Sequence, residues 1–373
     1  MKLNFSNEKY KKIAMQSKGY SQVESKHSIT DAFMLLIKGV EEKNLSNFCR
    51  KIQEDLEKHG IKLTIEECYN LTQGKIQEIS MEEVEAKDYI EKRMLDLAYE
   101  CIEVDKKELG DFVLPNNINT SSWISHSLYE AKAAQQLAQR LGLDTEKAGI
   151  LGMLHDYGRK YTHDFTHVIL GYEALVDEGW IEEARASITH SFINAGRCAN
   201  CDPAEDGFYI DENGQPAWEE DAEKDDITEV LENLEYDDYD MLLNIADLIA
   251  TSDGITTPYD RVQDVATRKK PDIRNRGYFL SEFSNKLIYV IENIRGKKTE
   301  SERLSPLMDL DAINSKFKEI SEEFYNIFTK NKYINNFVRN ALESGTSLEE
   351  VEEGEKGQKD KNIVHDNKKS INE

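Results

Sequence analysis

Apolar residues recur every three or four positions over most of the 373-residue chain, the spacing of one buried helical face. Thr30 followed by "DAFMLLIKGV" starts like a capped helix, and Leu45, Phe48, Ile52 and Leu56 continue the stripe until His59-Gly60 ends it. Ser80 opens "SMEEVEAKDYIEKRMLDLAYECIEV" as a capping box with Glu83, and Met81, Val84, Ile90, Met94, Leu97 and Cys101 supply its apolar side. "LPNNINTSSW", residues 114–123, is a polar breaker and marks a boundary. After it, short helices alternate with small loops as far as Gly296, and helical spacing returns from Ser281 to Ile294 and from Leu307 to Phe328.

The pattern predicts an all-α protein. Its parts are an N-terminal helical region (1–115), a central helical domain (120–296), C-terminal helices (297–344) and a tail (345–373). An acidic insertion at about 200–237 interrupts the central domain, and "FYIDENGQPAW" within it reads as a small hairpin turning near Asn213-Gly214. The tail has little to bury and is expected to be disordered, with His365 solvated.

Charge narrows the function. A formal net charge of −25 disfavours general nucleic-acid binding and anionic membranes. Apolar runs fall short of a membrane span, and "MKLNFSNEKYKKIAMQ" carries Lys and Asn where a signal peptide has its apolar segment, so a cytoplasmic location is expected. The five scattered cysteines read as reduced thiols. Cys198 and Cys201 form one CxxC, but without a second pair it is a weak sign of zinc. From Asp260 to Arg276, "DRVQDVATRKKPDIRNR" sets six Lys or Arg against three Asp, a local basic segment that is either a solvated face or a contact for a compact polyphosphate.

Five of the eight histidines, at 126, 155, 163, 167 and 190, fall within 65 residues. His126 begins a helix with an apolar stripe through Leu128, Ala131, Ala134, Leu137, Ala138 and Leu141. His155-Asp156 ends another, opened by a candidate Asp144 N-cap and closed before Gly158. His190 ends the run "IEEARASIT", and Asp247 sits in the apolar "MLLNIADLIATSDG". A carboxylate in such surroundings needs a partner, because a buried unpaired charge costs several kcal/mol. Any one of these residues taken alone reads more readily as an ordinary core or surface side chain. Four in comparable contexts point instead to a metal site. The aromatic rings of Trp123, Tyr129 and Tyr157 are available to stack on a base, although core packing is their commoner fate.

The ordered series His126, His155-Asp156, His190 and Asp247, with "LHDYGRK" and "NIADLIATSDGITTPYDRV", resembles the HD-domain metal-dependent phosphohydrolases. His167 in "HVILGYEAL" makes it similar to the YqeK-type diadenosine tetraphosphate hydrolases in particular. The resemblance covers roughly residues 120–270 and implies an HD-domain helical bundle. It implies that His126, His155, Asp156 and Asp247 hold one ion and that Asp156 bridges to a second held by His167 and His190. The ions would be first-row divalent metals such as iron or manganese. Arg159 and Arg261 would contact phosphate, and a metal-activated hydroxide would cleave a phosphoester or phosphoanhydride of a nucleotide or dinucleotide. His163 would be a substrate-side or substitute ligand, or else a surface residue. The alternative is a binding module that senses a nucleotide and signals through its N-terminal helices, and self-association is open under either reading.

Overall fold

The computed structural model describes residues 19–40, 42–75, 81–103, 123–162, 166–194, 197–198, 208–214, 216–218, 234–269, 273–295 and 302–330. His163, Cys201, His365, Ser80, most of the acidic insertion and the whole tail lie outside them. Twelve α-helices account for most of the described residues, with two short hairpins, so the fold is all-α.

Helix α1 (Ile29–Ile37) is opened by Ser28 rather than by Thr30, which lies inside its first turn. Ser28 Oγ accepts the Asp31 N–H at 3.1 Å, and the Asp31 carboxylate accepts the Ser28 N–H at 2.8 Å. The stripe expected to continue to Leu56 breaks at Gly39, whose φ of 83° is a left-handed conformation that glycine adopts without strain. It restarts as α2 (Glu42–Lys58), which ends beside Gly60 as expected. A short helix the spacing did not announce, α3 (Ile65–Thr72), is started by a Thr64–Glu67 capping box. Then α4 (Met81–Glu103) buries Ile90, Met94 and Leu97.

The central helices are α5 (Trp123–Leu141) and α6 (Thr145–Leu154), the latter capped by Asp144, whose side chain accepts the N–H groups of Glu146 and Lys147. A 3-10 turn (Tyr157–Lys160) leads towards α7 (His167–Asp177) and α8 (Arg185–Thr189). Two antiparallel hairpins follow. Strand β1 (Phe192–Asn194) pairs with β2 (Arg197–Cys198), and β3 (Phe208–Ile210) pairs with β4 (Pro216–Trp218), with Ile210 opposite Pro216 across the Asn213-Gly214 turn. The second hairpin is the one expected; the first was not. The remaining helices are α9 (Asp238–Ile249), α10 (Pro258–Lys269), α11 (Ile273–Ile294) and α12 (Leu310–Lys330).

The N-terminal helices share one core with the central ones. Phe33, Leu36, Phe48 and Ile52 belong to the same buried cluster as Leu128, Ile150, Met153, Leu154 and Tyr157. Each such side chain contributes about 1.5–3 kcal/mol on leaving water. The segment before α1 is tied down as well: the Ser21 N–H donates to Asp237 at 2.6 Å, and the His27 and Trp180 rings stack at 3.7 Å. Residues Met1–Glu322 form one compact unit; in the other, Glu323–Glu373, the described residues are the end of α12, where the Phe324 and Phe328 rings stack. Among the described residues no helix is long and apolar enough to cross a membrane.

Candidate metal centre

Close backbone contacts set the position of each polar side chain in the centre. A side chain at Gly152 would come within 2.8 Å of the Ala131 Cα, so α6 crosses α5 directly over Glu130-Ala131. This contact brings His155, one residue past the end of α6, above the first turns of α5. A side chain at Gly158 would run into the His167 carbonyl, and one at Gly171 would meet the Gly158 nitrogen at 2.8 Å. The 3-10 turn that follows Asp156 is therefore pressed against α7, whose first residue is His167. His190 caps the C-terminal end of α8. Helix α8 is locked to α9 by a buried Arg185–Asp240 pair at 2.7 Å, and the Asn244 amide donates to the carbonyls of Thr189 and His190. Lys286 of α11 in turn donates to the Asn244 side-chain oxygen at 3.0 Å.

Two groups of donors result. In the first, the His126 and His155 Nε2 atoms are 3.2 Å apart, Asp247 Oδ1 is 3.1 Å from His126, and Glu130 Oε2 is 2.8 Å from His155. In the second, His167 Nε2 lies 3.0 Å and His190 Nε2 3.6 Å from Asp156 Oδ1, and the two rings' Nε2 atoms are 3.4 Å apart. The other Asp156 oxygen, Oδ2, faces the first group, at 3.6 Å from His155 and 3.9 Å from His126. One carboxylate thus offers an oxygen to each side. The His155 Nδ1 is 2.8 Å from the Gly152 carbonyl and the His190 Nδ1 is 3.0 Å from that of Ala186, an arrangement that commits Nδ1–H to the backbone and turns Nε2 to the centre, where the Ser191 hydroxyl also lies 3.0 Å from the His190 Nε2.

The centre is buried apart from Asp247, whose side chain is 29 % exposed and marks the side open to solvent. Burial pushes the Glu130 carboxyl up to about 8. It lowers the His126 ring and, with the positive charge on His155, brings His190 down to about 3. For His155 burial works in the same direction, but Glu130 and Asp156 outweigh it and hold the ring well above the usual histidine range. Burial opposes the charge on Asp156 and Asp247 too. Arg159, His155 and His167 overcome it at Asp156, and His126 and Arg261 overcome it at Asp247, so both stay below the carboxylate range.

Every site residue expected within the described part of the chain lies at this centre. His126, His155 and Asp247 fall in one group and Asp156, His167 and His190 in the other, with the second Asp156 oxygen turned to the first group. The Arg159 Nε is 3.1 Å from Asp156 Oδ1, and an Arg261 terminal nitrogen is 3.7 Å from Asp247 Oδ1. Of the basic segment, Arg276 donates to Gln263 on α10 at 3.2 Å. Trp123 and Tyr157 are core residues. The residue that sequence reasoning passed over is Glu130. Its signal was available, because it stands one helical turn after His126 and so on the same face of α5.

These residues fit a divalent cation. Both Glu130 oxygens are buried with no hydrogen-bond donor in satisfactory geometry, and imidazole nitrogens and carboxylate oxygens converge on them. The arrangement defines an all-α protein with a buried histidine–carboxylate centre of the metal-binding kind. Residues 123–251 match the family model for the HD domain. That stretch contains every residue of the two donor groups. No curated protein and no solved structure matches the chain.

Proposed function

We propose that this protein is a metal-dependent phosphohydrolase that cleaves a phosphoester or phosphoanhydride bond in a small phosphorylated substrate, a nucleotide or dinucleotide. The observation that carries the reading is the placement of Asp156, whose two oxygens face two separate groups of histidines. His126, His155, Asp247 and one Asp156 oxygen would hold one ion; His167, His190 and the other oxygen would hold a second. Such ions, iron, manganese or another first-row metal, would lower the pKa of bound water towards about 7 and polarise phosphoryl oxygens.

The chain supplies the rest. Backbone carbonyls at Gly152 and Ala186 keep the ligand rings in one tautomer and orientation. Arg159 and Arg261 border the centre through Asp156 and Asp247, where permanently charged guanidiniums would hold the phosphate and offset the charge that grows on it. The buried side of the centre excludes water, and substrate would approach from the side of Asp247. His167 four residues before Gly171 is similar to the diadenosine tetraphosphate hydrolases, so dinucleoside polyphosphates lead the candidate substrates.

A second reading draws on the shared core: α1 packs on α6, the helix that ends at His155-Asp156, so a nucleotide sensor could pass its state to the N-terminal helices. A hydrolysis screen over nucleoside polyphosphates, dinucleoside polyphosphates, cyclic dinucleotides and (p)ppGpp with Mn²⁺ or Fe²⁺ separates the two. The enzyme reading expects turnover of one class by the wild type and its loss in Asp156→Ala. Turnover that survives the substitution overturns it, and binding without turnover favours the sensor.

A further inference from the structure

Glu130 has no role in the reading above, yet its carboxylate is buried among the donors of the first group. It is completely buried, and neither oxygen has a donor in hydrogen-bond geometry. Its Oε2 is 2.8 Å from the His155 Nε2 and 3.6 Å from the His126 Nε2, the two nitrogens directed into the first group. The position is built rather than incidental. The Gly152 contact leaves no space between α6 and the backbone at Glu130-Ala131, and the carbonyl of Gly152 itself orients His155 over the Glu130 carboxylate.

We propose that Glu130 is a ligand of the ion held by His126, His155 and Asp247, closing that site on its buried side. The inference rests on the metal-centre reading and deepens it, because it makes the two ions unequal. The first would be surrounded by two imidazoles and the carboxylates of Glu130 and Asp247 as well as a share of Asp156. The second would have two imidazoles and only its share of Asp156. More anionic oxygen donors and fewer open positions give the first site higher affinity for a hard or borderline divalent ion. The second, with fewer protein ligands, keeps positions open for phosphate oxygens, as catalytic sites do.

The test is a Mn²⁺ titration of the metal-free full-length chain, with free Mn²⁺ read by its electron paramagnetic resonance signal. The wild type should show two classes of site at least about tenfold apart in affinity. Glu130→Gln keeps the side-chain shape and removes the charge; it should abolish the tighter class or weaken it by about 10–100-fold, a loss of the size seen when groups that support a metal site are removed. Unfolding of the variant in chelator checks that it folds. A crystal structure of the Mn²⁺-loaded wild type gives an answer that needs no variant: a Glu130 oxygen should be bonded to the ion at His126 and His155. If Glu130→Gln binds Mn²⁺ as the wild type does, or if Glu130 hydrogen-bonds to His155 and touches no ion in the loaded crystal, the proposal is overturned. If the wild type binds no Mn²⁺ at all, the metal-centre reading itself fails, and this ligand with it.

Discussion

The N-terminal helices and the metal centre share one core but treat buried polar groups in opposite ways. In α1–α4, Asp55 is the buried carboxylate among the described residues. Arg93 and Lys58 hold it, so its carboxyl stays below the usual range. Thr72 likewise donates to the Tyr69 carbonyl at 2.6 Å. Around α5, α6 and α9, the buried Glu130 carboxylate faces the His155 ring at 2.8 Å, and imidazole Nε2 atoms approach one another within hydrogen-bond distance. Both regions bury enough apolar surface to fold. Only one gathers three carboxylates and four imidazoles around a single buried spot, a set of donors suited to a bound cation.

The contrast can be broken by variants that separate stability from chemistry. The largest effect is expected at Asp156, where Asp156→Ala should reduce hydrolysis by at least about 10²–10³-fold, because charge stabilisation at the reacting group is lost, and urea midpoints in chelator separate that loss from the stability lost with the partner of Arg159 and His167. The opposite result is expected at Phe33, fully buried in the shared core: Phe33→Ala should cost about 3–5 kcal/mol in urea unfolding but leave Mn²⁺ bound per folded molecule unchanged. A loss of metal affinity in the folded Phe33→Ala protein would show that the N-terminal helices shape the centre, and would move the balance towards the sensor.

A smaller effect is expected at the edge of the centre. Burial pulls Lys286 down to about 8, while the same group in the unfolded chain titrates near 10.5. Between those values the unfolded state binds the extra proton, so stability in chelator should rise with pH across the window. The contribution of Lys286 is about 1–2 kcal/mol, allowing for its partly exposed position. Lys286→Met should flatten this rise between about pH 8 and 10, as followed by urea midpoints. A slope equal to the wild type would remove Lys286 from the account of how α11 supports Asn244 and His190.

Much of the centre was legible in the sequence because its ligands lie where local signals are strong. His155 follows a helix with an Asp cap and ends it before Gly158, His190 ends a short helix, and Asp247 stands out in an apolar run. Glu130 was not legible to the same reading. A charged residue inside the stripe of α5 looks like an ordinary interruption unless the one-turn spacing from His126 is weighed, and the Gly152 contact that buries it is a tertiary fact. The cap at Ser28 and the break at Gly39 were missed for a different reason: two capping candidates lie two residues apart, and a left-handed glycine leaves little trace in apolar spacing. The shared core was beyond reach, because periodicity says that α1 and α2 have an apolar face and not which face it meets.

The most direct test of the central claim is the metal content of the folded chain. Full-length protein stripped with chelator, incubated anaerobically with Mn²⁺ or Fe²⁺ and desalted should retain about two equivalents by elemental analysis, with Asp156→Ala retaining about one or none, since the shared carboxylate serves both groups. Wild-type protein that retains no metal, or an Asp156→Ala variant that retains as much as the wild type, would contradict the account.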